Sequence, residues 1–321
     1  TVILVSFLNA QNSQYWHDSI RKVHYLPFEK GFKLQNGERK FNRALYGTNT
    51  GFRVETGDLP EFAMYMPGMG GNFKLGIITQ DGSSKWLTEC DSITTVYTPG
   101  IMNYQISDSL LKQGSIHLKV VALAKSEGFM LQATSIDIPE TVKLIWVYGG
   151  ASGKKFHRDG DIGADPESVF YLQPKYCINN QYSVTNNSFI VKYGSENNKE
   201  KTGNNRTMSG VFPTSEIKIA SASNQENPLA VYQSEKDSFP VIVGKVNSLK
   251  QPLYWKFENS DALPIEASLE SDFKAGIKKV NKTAQILTVQ TPNPYINTIG
   301  GALATAADAI WESPAFLHGS I

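Results

Sequence analysis

Between residue 23 and about residue 258 the chain is cut into short apolar runs by turn residues, and that punctuation is the punctuation of β structure. The runs fall at 52–55, 62–66, 73–78, 93–98, 102–106, 116–124, 129–136 and 142–148, and resume at 189–193, 217–220, 241–246 and 253–257. Asn36-Gly37 and Asp81-Gly82 are dipeptides of the hairpin-turn type. In the run from Ser115, apolar Ile116, Leu118 and Val120 alternate with His117 and Lys119, so one face is buried and the other meets water. Many such strands in series predict a mainly β fold, a large antiparallel β-sandwich.

At about Asp261 the period changes. Ile265, Leu269, Phe273, Ile277 and Val280 share one helical face, which predicts a helix over 261–281 capped by Ser260 or Asp261. An extended link, 286–292, leads to a second start signal, Asn293 as cap and Pro294 in the first helical position. The helix that follows carries Ile296, Ile299, Leu303, Ala307 and Ile310 in one stripe and ends near Glu312-Ser313-Pro314. A striped helix has to bury its stripe. No helical partner follows it here, so the chain reads as truncated at both ends. The expected division is 1–10, 11–260 as the sandwich, 261–290 as linker helix and extended link, and 291–321 as the start of a helical domain.

The first ten residues, a short apolar run closing on a small residue, read as the remnant of a secretory signal peptide, with a buried first strand as the alternative. The signal reading implies export. No other stretch is apolar for long enough to span a bilayer. Basic and acidic residues number 31 and 30, without a basic stripe, which sets nucleic acid aside as a partner. Five histidines without HxH or HExxH spacing, beside two cysteines, argue against zinc. Cys90 and Cys177 fit one disulfide or two buried thiols equally well. There is no G-x-S-x-G and no Walker loop, and residues 67–71 (PGMGG) read as a tight turn.

Chemistry concentrates in residues 146–172. The run breaks at Gly149-Gly150, crosses a long polar loop containing Lys154, Lys155, His157 and Arg158, and returns to a strand-like segment at 168–172. Loops this long are functional or disordered, and the aromatic flanks favour function. Asp159, Asp161, Asp165 and Glu167 lie within nine residues. Three readings stand: a calcium site built on Asp159, Asp161 and Asp165, a solvated loop tied by Arg158 and Lys155, or recognition of sugar hydroxyls by the carboxylates and Arg158. Two carboxylates could also serve glycoside hydrolysis, but spacing selects no pair, and the catalytic residues stay unassigned. Asn42 and Arg43, among the aromatics of 41–50, suit either a carbohydrate surface or a hairpin end that satisfies its own backbone. Calcium apart, no cofactor is expected.

Three long blocks carry a family resemblance: FNRALYGTNTGFRVETGDLPEFAMYMPGMGGN, WVYGGASGKKFHRDGDIGADPESVFYL and TPNPYINTIGGALATAADAIWESPAFLHG. They resemble an exported family of Bacteroidetes proteins carrying the domain DUF4450. Its members resemble glycosidases that join a β-supersandwich, through a linker helix, to an (α/α)6 toroid. The resemblance implies the sandwich part of a periplasmic or surface glycan-degrading glycoside hydrolase, acting on oligo- or polysaccharide. Its loop would border the cleft of a helical catalytic domain that holds the general acid. A non-catalytic carbohydrate-binding or structural domain is the alternative.

Overall fold

The computed structural model describes residues 15–16, 19–20, 25–156, 166–194, 207–263 and 268–316. The first strands are β1 (Tyr15–Trp16), β2 (Ser19–Ile20), β3 (Leu26–Phe28), β4 (Gly31–Gln35), β5 (Arg43–Leu45), β6 (Arg53–Thr56), β7 (Glu61–Tyr65), β8 (Met69–Ile78) and β9 (Ser84–Trp86). Then come β10 (Ser92–Thr98), β11 (Ile101–Ser107), β12 (Ser115–Ala122), β13 (Gly128–Ile136), β14 (Lys143–Gly149) and the short helix α1 (Pro174–Cys177). After it run β15 (Gln181–Thr185), β16 (Ser188–Lys192), β17 (Thr207–Val211), β18 (Glu216–Ser221), helix α2 (Pro228–Gln233), β19 (Pro240–Val246) and β20 (Leu253–Glu258).

Two antiparallel sheets hold nearly all of these strands. The larger has the order β15-β16-β17-β20-β13-β12-β11-β10-β4-β3, and the smaller β18-β19-β14-β8-β7-β6-β5, with β9 paired to β8. The chain changes sheet repeatedly, and the inward side chains of both sheets meet in one apolar layer. Phe257 lies 4.7 Å from Phe73, 5.0 Å from Phe129 and 4.8 Å from Tyr148, ring centre to ring centre, so β20 is bonded by its aromatics to both sheets. Aromatic contacts at these separations add to the area they bury.

The runs read from sequence are all strands. Their ends shift by a residue or two, except that β8 starts at Met69, inside the glycine-rich turn. The β12 alternation holds, with Ile116, Leu118 and Val120 buried in the core and Lys119 exposed. Asp81-Gly82 does close the hairpin from β8 to β9, where Thr79 N donates to Ser83 O at 2.9 Å. Two local expectations fail. Residues 167–170 form a 3-10 turn rather than a strand, because Phe170 is spent covering the smaller sheet and not on pairing. Asn36-Gly37 ends β4 without making a hairpin, since β4 pairs with β10. Helix also occurs within the sandwich, where Asn227 Oδ1 accepts from Ala230 N and caps α2.

The linker helix, α3 (Leu269–Ala284), begins well after Asp261. Pro264 disfavours the helical conformation at Leu263, which works against a helix that starts at residue 261. Its buried side chains are Phe273 and Val280, packed with Ile101, Val121, Leu123 and Met130 on the outer face of the larger sheet. Gly276 permits the approach: a Cβ there would lie 2.9 Å from Ala122 O. The second start signal is confirmed, with Asn293 Oδ1 accepting from Tyr295 N at 2.9 Å. The helix divides at Thr298 into α4 (Pro294–Asn297) and α5 (Ile299–Ala309). A small hairpin follows, β21 (Trp311–Glu312) with β22 (Ala315–Phe316). Cys90 and Cys177 are two separate buried thiols, and burial pushes that of Cys177 up to about 12. No described helix is long and apolar enough to cross a membrane.

Because Phe257 ties both sheets, Phe257→Ala should lower unfolding free energy by about 3–5 kcal/mol. Urea denaturation followed by tryptophan fluorescence measures this; a loss no larger than that of an exposed-site control would mean the aromatic layer is not where the sheets are joined.

Candidate functional site

Alternation on β6, β7 and β8 turns Val54, Phe62, Met64, Phe73 and Leu75 into the core. It must therefore turn Arg53, Glu55, Glu61, Asn72 and Lys74 to the other face. That face is not wet. Glu55 and Asn72 are fully buried, and Glu61, Lys74 and Arg53 nearly so, beneath Phe41, Phe156, Phe170 and Tyr176. Charges taken out of water need partners.

The partners are found across strands and from the covering segments. Lys40 Nζ lies 2.9 Å from Glu61 Oε2, while Asn72 Nδ2 donates to Glu61 Oε1 at 2.8 Å and to Phe170 O at 2.9 Å. Arg53 Nε pairs with Glu55 Oε1, and its guanidinium stacks 4.1 Å from the centre of the Tyr65 ring. Lys74 lies 4.2 Å over the Trp86 ring and reaches Gln225 Oε1 at 3.5 Å. Burial lowers the Lys74 ammonium below its ordinary value, with Glu61 opposing. Burial likewise raises the Glu55 carboxyl, against the pull of Arg53. Ala44 and Ala63 flank Glu55 on the adjoining strands, small residues that leave room for the pair. Glu55 Oε2 is buried without a hydrogen-bond partner among the described residues.

The same face receives the two ends of the long loop. Ser152 N and Gly153 N donate to Met69 O, and Met69 N donates to Lys154 O at 3.0 Å. Gly68, at φ 129°, sits so close that a Cβ would meet Gly153 O at 2.7 Å, which is why residues 67–71 are rich in glycine. Phe156 meets Phe170 edge-on at 5.4 Å, closing the neck. Glu167 is bound at that neck: Oε1 lies 3.2 Å from Arg39 Nη1, and Oε2 accepts from Lys40 N at 3.2 Å. Arg158, Asp159, Asp161 and Asp165, and with them the calcium candidates, lie outside the described residues.

Asn42 and Arg43 belong to an adjoining cluster. Asn42 Nδ2 donates to Tyr25 Oη and to Asp58 Oδ1, and Arg43 lies over the rings of Tyr25 and Tyr97 at 4.8 and 5.2 Å. Arg39 joins the two clusters, its N–H donating to Asp58 Oδ2 while its guanidinium holds Glu167. Residues 39–43 thus link Glu167, Asn42 and Arg43 in one network. Sequence reading missed Arg53, Glu55, Glu61, Asn72 and Lys74, because charge alternating along a strand reads as a solvated face. Among the described residues no three His, Cys, Asp or Glu side chains converge as a metal site.

Arg53→Met strands a buried carboxylate and should cost about 3–5 kcal/mol near neutral pH. The Glu55 pKa is raised in the folded state, so its contribution is intact below the unfolded carboxylate value and is lost as pH climbs through the folded one. The deficit of Arg53→Met should therefore shrink between about pH 7 and about pH 4 in urea titrations. A pH-independent deficit would assign the loss to packing on Tyr65.

A family model described as "Domain of unknown function (DUF4450)" matches residues 66–275. Among solved structures, the chain is similar to a bacterial glucoamylase complexed with acarbose, at 10% identity and a TM-score of 0.46, over 85% of this chain and 42% of that one. It is also similar to a family GH92 inverting mannosidase from Bacteroides thetaiotaomicron, at 8% identity and a TM-score of 0.43, over 88% of this chain and 35% of that one. The chain spans less than half the length of either. No curated protein matches it.

Proposed function

The chain belongs to the DUF4450 family, and on that premise we propose that it is the β-sandwich part of an exported glycan-degrading glycoside hydrolase, packed on a helical catalytic domain of the same protein. The observation that carries this reading is the outward face of α5. α3 and α5 are fixed on the sandwich, Asn49 Nδ2 donating to Asp308 O at 2.5 Å and Lys279 Nζ to Ala124 O at 3.4 Å. Ile296, Ile299, Leu303, Ile310, Trp311 and Phe316 nonetheless remain open to solvent, Leu303 by 54% and Phe316 by 63%. Large apolar side chains exposed together at helical spacing, as at Ile296, Ile299, Leu303 and Ile310, suit an interaction site with another helix as the cover. Oligo- or polysaccharide is the substrate this reading implies, and the periplasm or outer-membrane surface the location. The long polar segment from Lys154 to Glu167 would then border the cleft.

A second reading, a carbohydrate-binding or structural domain without catalysis, is favoured by the buried carboxylates, since Glu55 and Glu61 already carry their own counter-groups.

The intact natural protein should release reducing ends from at least one of a panel of polysaccharides. Leu303→Glu, which buries a charge in the contact between helix and catalytic domain, should lower that rate by about tenfold or more without unfolding the sandwich. Asp161→Ala should weaken glycan binding by about 1.5–3 kcal/mol with little change in melting; lost calcium-dependent stabilisation in this variant would instead assign the loop to a cation. Binding without sugar release, across the panel, would leave the second reading.

A further inference from the structure

Among the described residues the larger sheet ends in β3 and β15 and the smaller in β5 and β18, and three of these four end strands are protected against pairing with another chain. β3 contains Pro27, which cannot donate to a ladder. β5 is three residues long and starts with Arg43. β18 carries Glu216 and Lys218, engaged with Lys245 and Glu235. Short strands, proline and charge are the usual protections of an edge.

The fourth edge, β15, has none of them. Its residues, Gln-Tyr-Ser-Val-Thr, include no charge, proline or glycine, and its pairing with β16 runs from Gln181↔Lys192 to Thr185↔Ser188 without a bulge. Gln181, Ser183, Val184 and Thr185 are exposed. Tyr182 and Val184 share a face by alternation. Tyr182 packs on the core between the sheets, whereas Val184 stays 41% exposed on a face that is otherwise buried.

We propose that β15 pairs antiparallel with β15 of a second copy of this chain, joining two ten-stranded sheets across a twofold axis at Ser183. That register sets Ser183 against Ser183 and Gln181 against Thr185. It also sets Tyr182 against Val184, an aromatic and β-branched cross-strand pair of a kind that stabilises antiparallel ladders. The exposed Val184 gains its missing neighbour, no like charges meet, and the contact is isologous. Self-complementarity is what selects a second copy over an unrelated strand. A five-residue ladder is a small interface, so the dimer should dissociate in the micromolar range. The inference is independent of the proposed hydrolase function.

Sedimentation velocity from about 1 to about 100 µM, a range set by that affinity, tests the proposal. Leu303→Glu is included throughout to silence the α5 face. The chain should pass from monomer to dimer, and amide hydrogen exchange at 181–185 should slow in step. Ser183→Lys and Ser183→Glu, each placing like charges across the axis, should weaken the dimer at least about tenfold. Their melting temperature should not change, and mixing the two in equal amounts should restore association. A chain that stays monomeric throughout overturns the proposal, leaving β15 to a strand of another protein. A dimer indifferent to both substitutions, with exchange at 181–185 unchanged, overturns it too and locates the contact elsewhere.

Discussion

The structure depends on the aromatic layer between its sheets, and within it on Phe257. This ring touches Phe73 and Tyr148 from the smaller sheet and Phe129 and Phe189 from the larger. The rest follows from that side chain's demand for partners. Turning Phe62 and Phe73 inward commits the alternate residues of β7 and β8 to the opposite face, so Glu61, Asn72 and Lys74 have to be accommodated there. Covering them is then the task of residues 39–42, 151–156 and 166–176. The polar face and the neck of the long loop are consequences of how the core is filled.

Most of the architecture is legible in the sequence, because strand periodicity is a local signal and this chain punctuates its strands with turn residues. The same holds for Asn293-Pro294, where cap and first helical residue are adjacent and need no tertiary help. What fails to show is non-local. Alternation says that Glu55 and Glu61 point away from Phe62, but not that a segment a hundred residues on will close over them. Nothing within the run at 168–172 tells that Phe170 serves as a lid and leaves backbone pairing unused. The start of α3 is a different case: Pro264 is a local signal against helix at residue 263, and the apolar period from Ile265 onward runs across it.

The site residues divide along the same line. In sequence Glu167 belongs to an acidic loop, and its place in the fold is at the loop's foot, bound by Arg39 and by the Lys40 amide. Asn42 and Arg43 stand out in sequence for their amide and charge among the aromatics of 41–50, but the rings Arg43 rests on are Tyr25 and Tyr97, from outside that segment. Composition draws attention to such positions. Only the tertiary fold says whether the chemistry is turned outward or consumed within.

The position of β20 also has a bearing on how the molecule comes into being. It lies between β13 and β17, pairing Gly128 with Glu258 and Gly210 with Phe257. A nascent chain leaving the ribosome therefore presents the larger sheet in two unjoined pieces until residues 253–258 emerge. Contacts so distant in sequence close slowly. Through that interval the apolar faces of β12 and β13 stand open, and folding must outrun aggregation before β20 arrives.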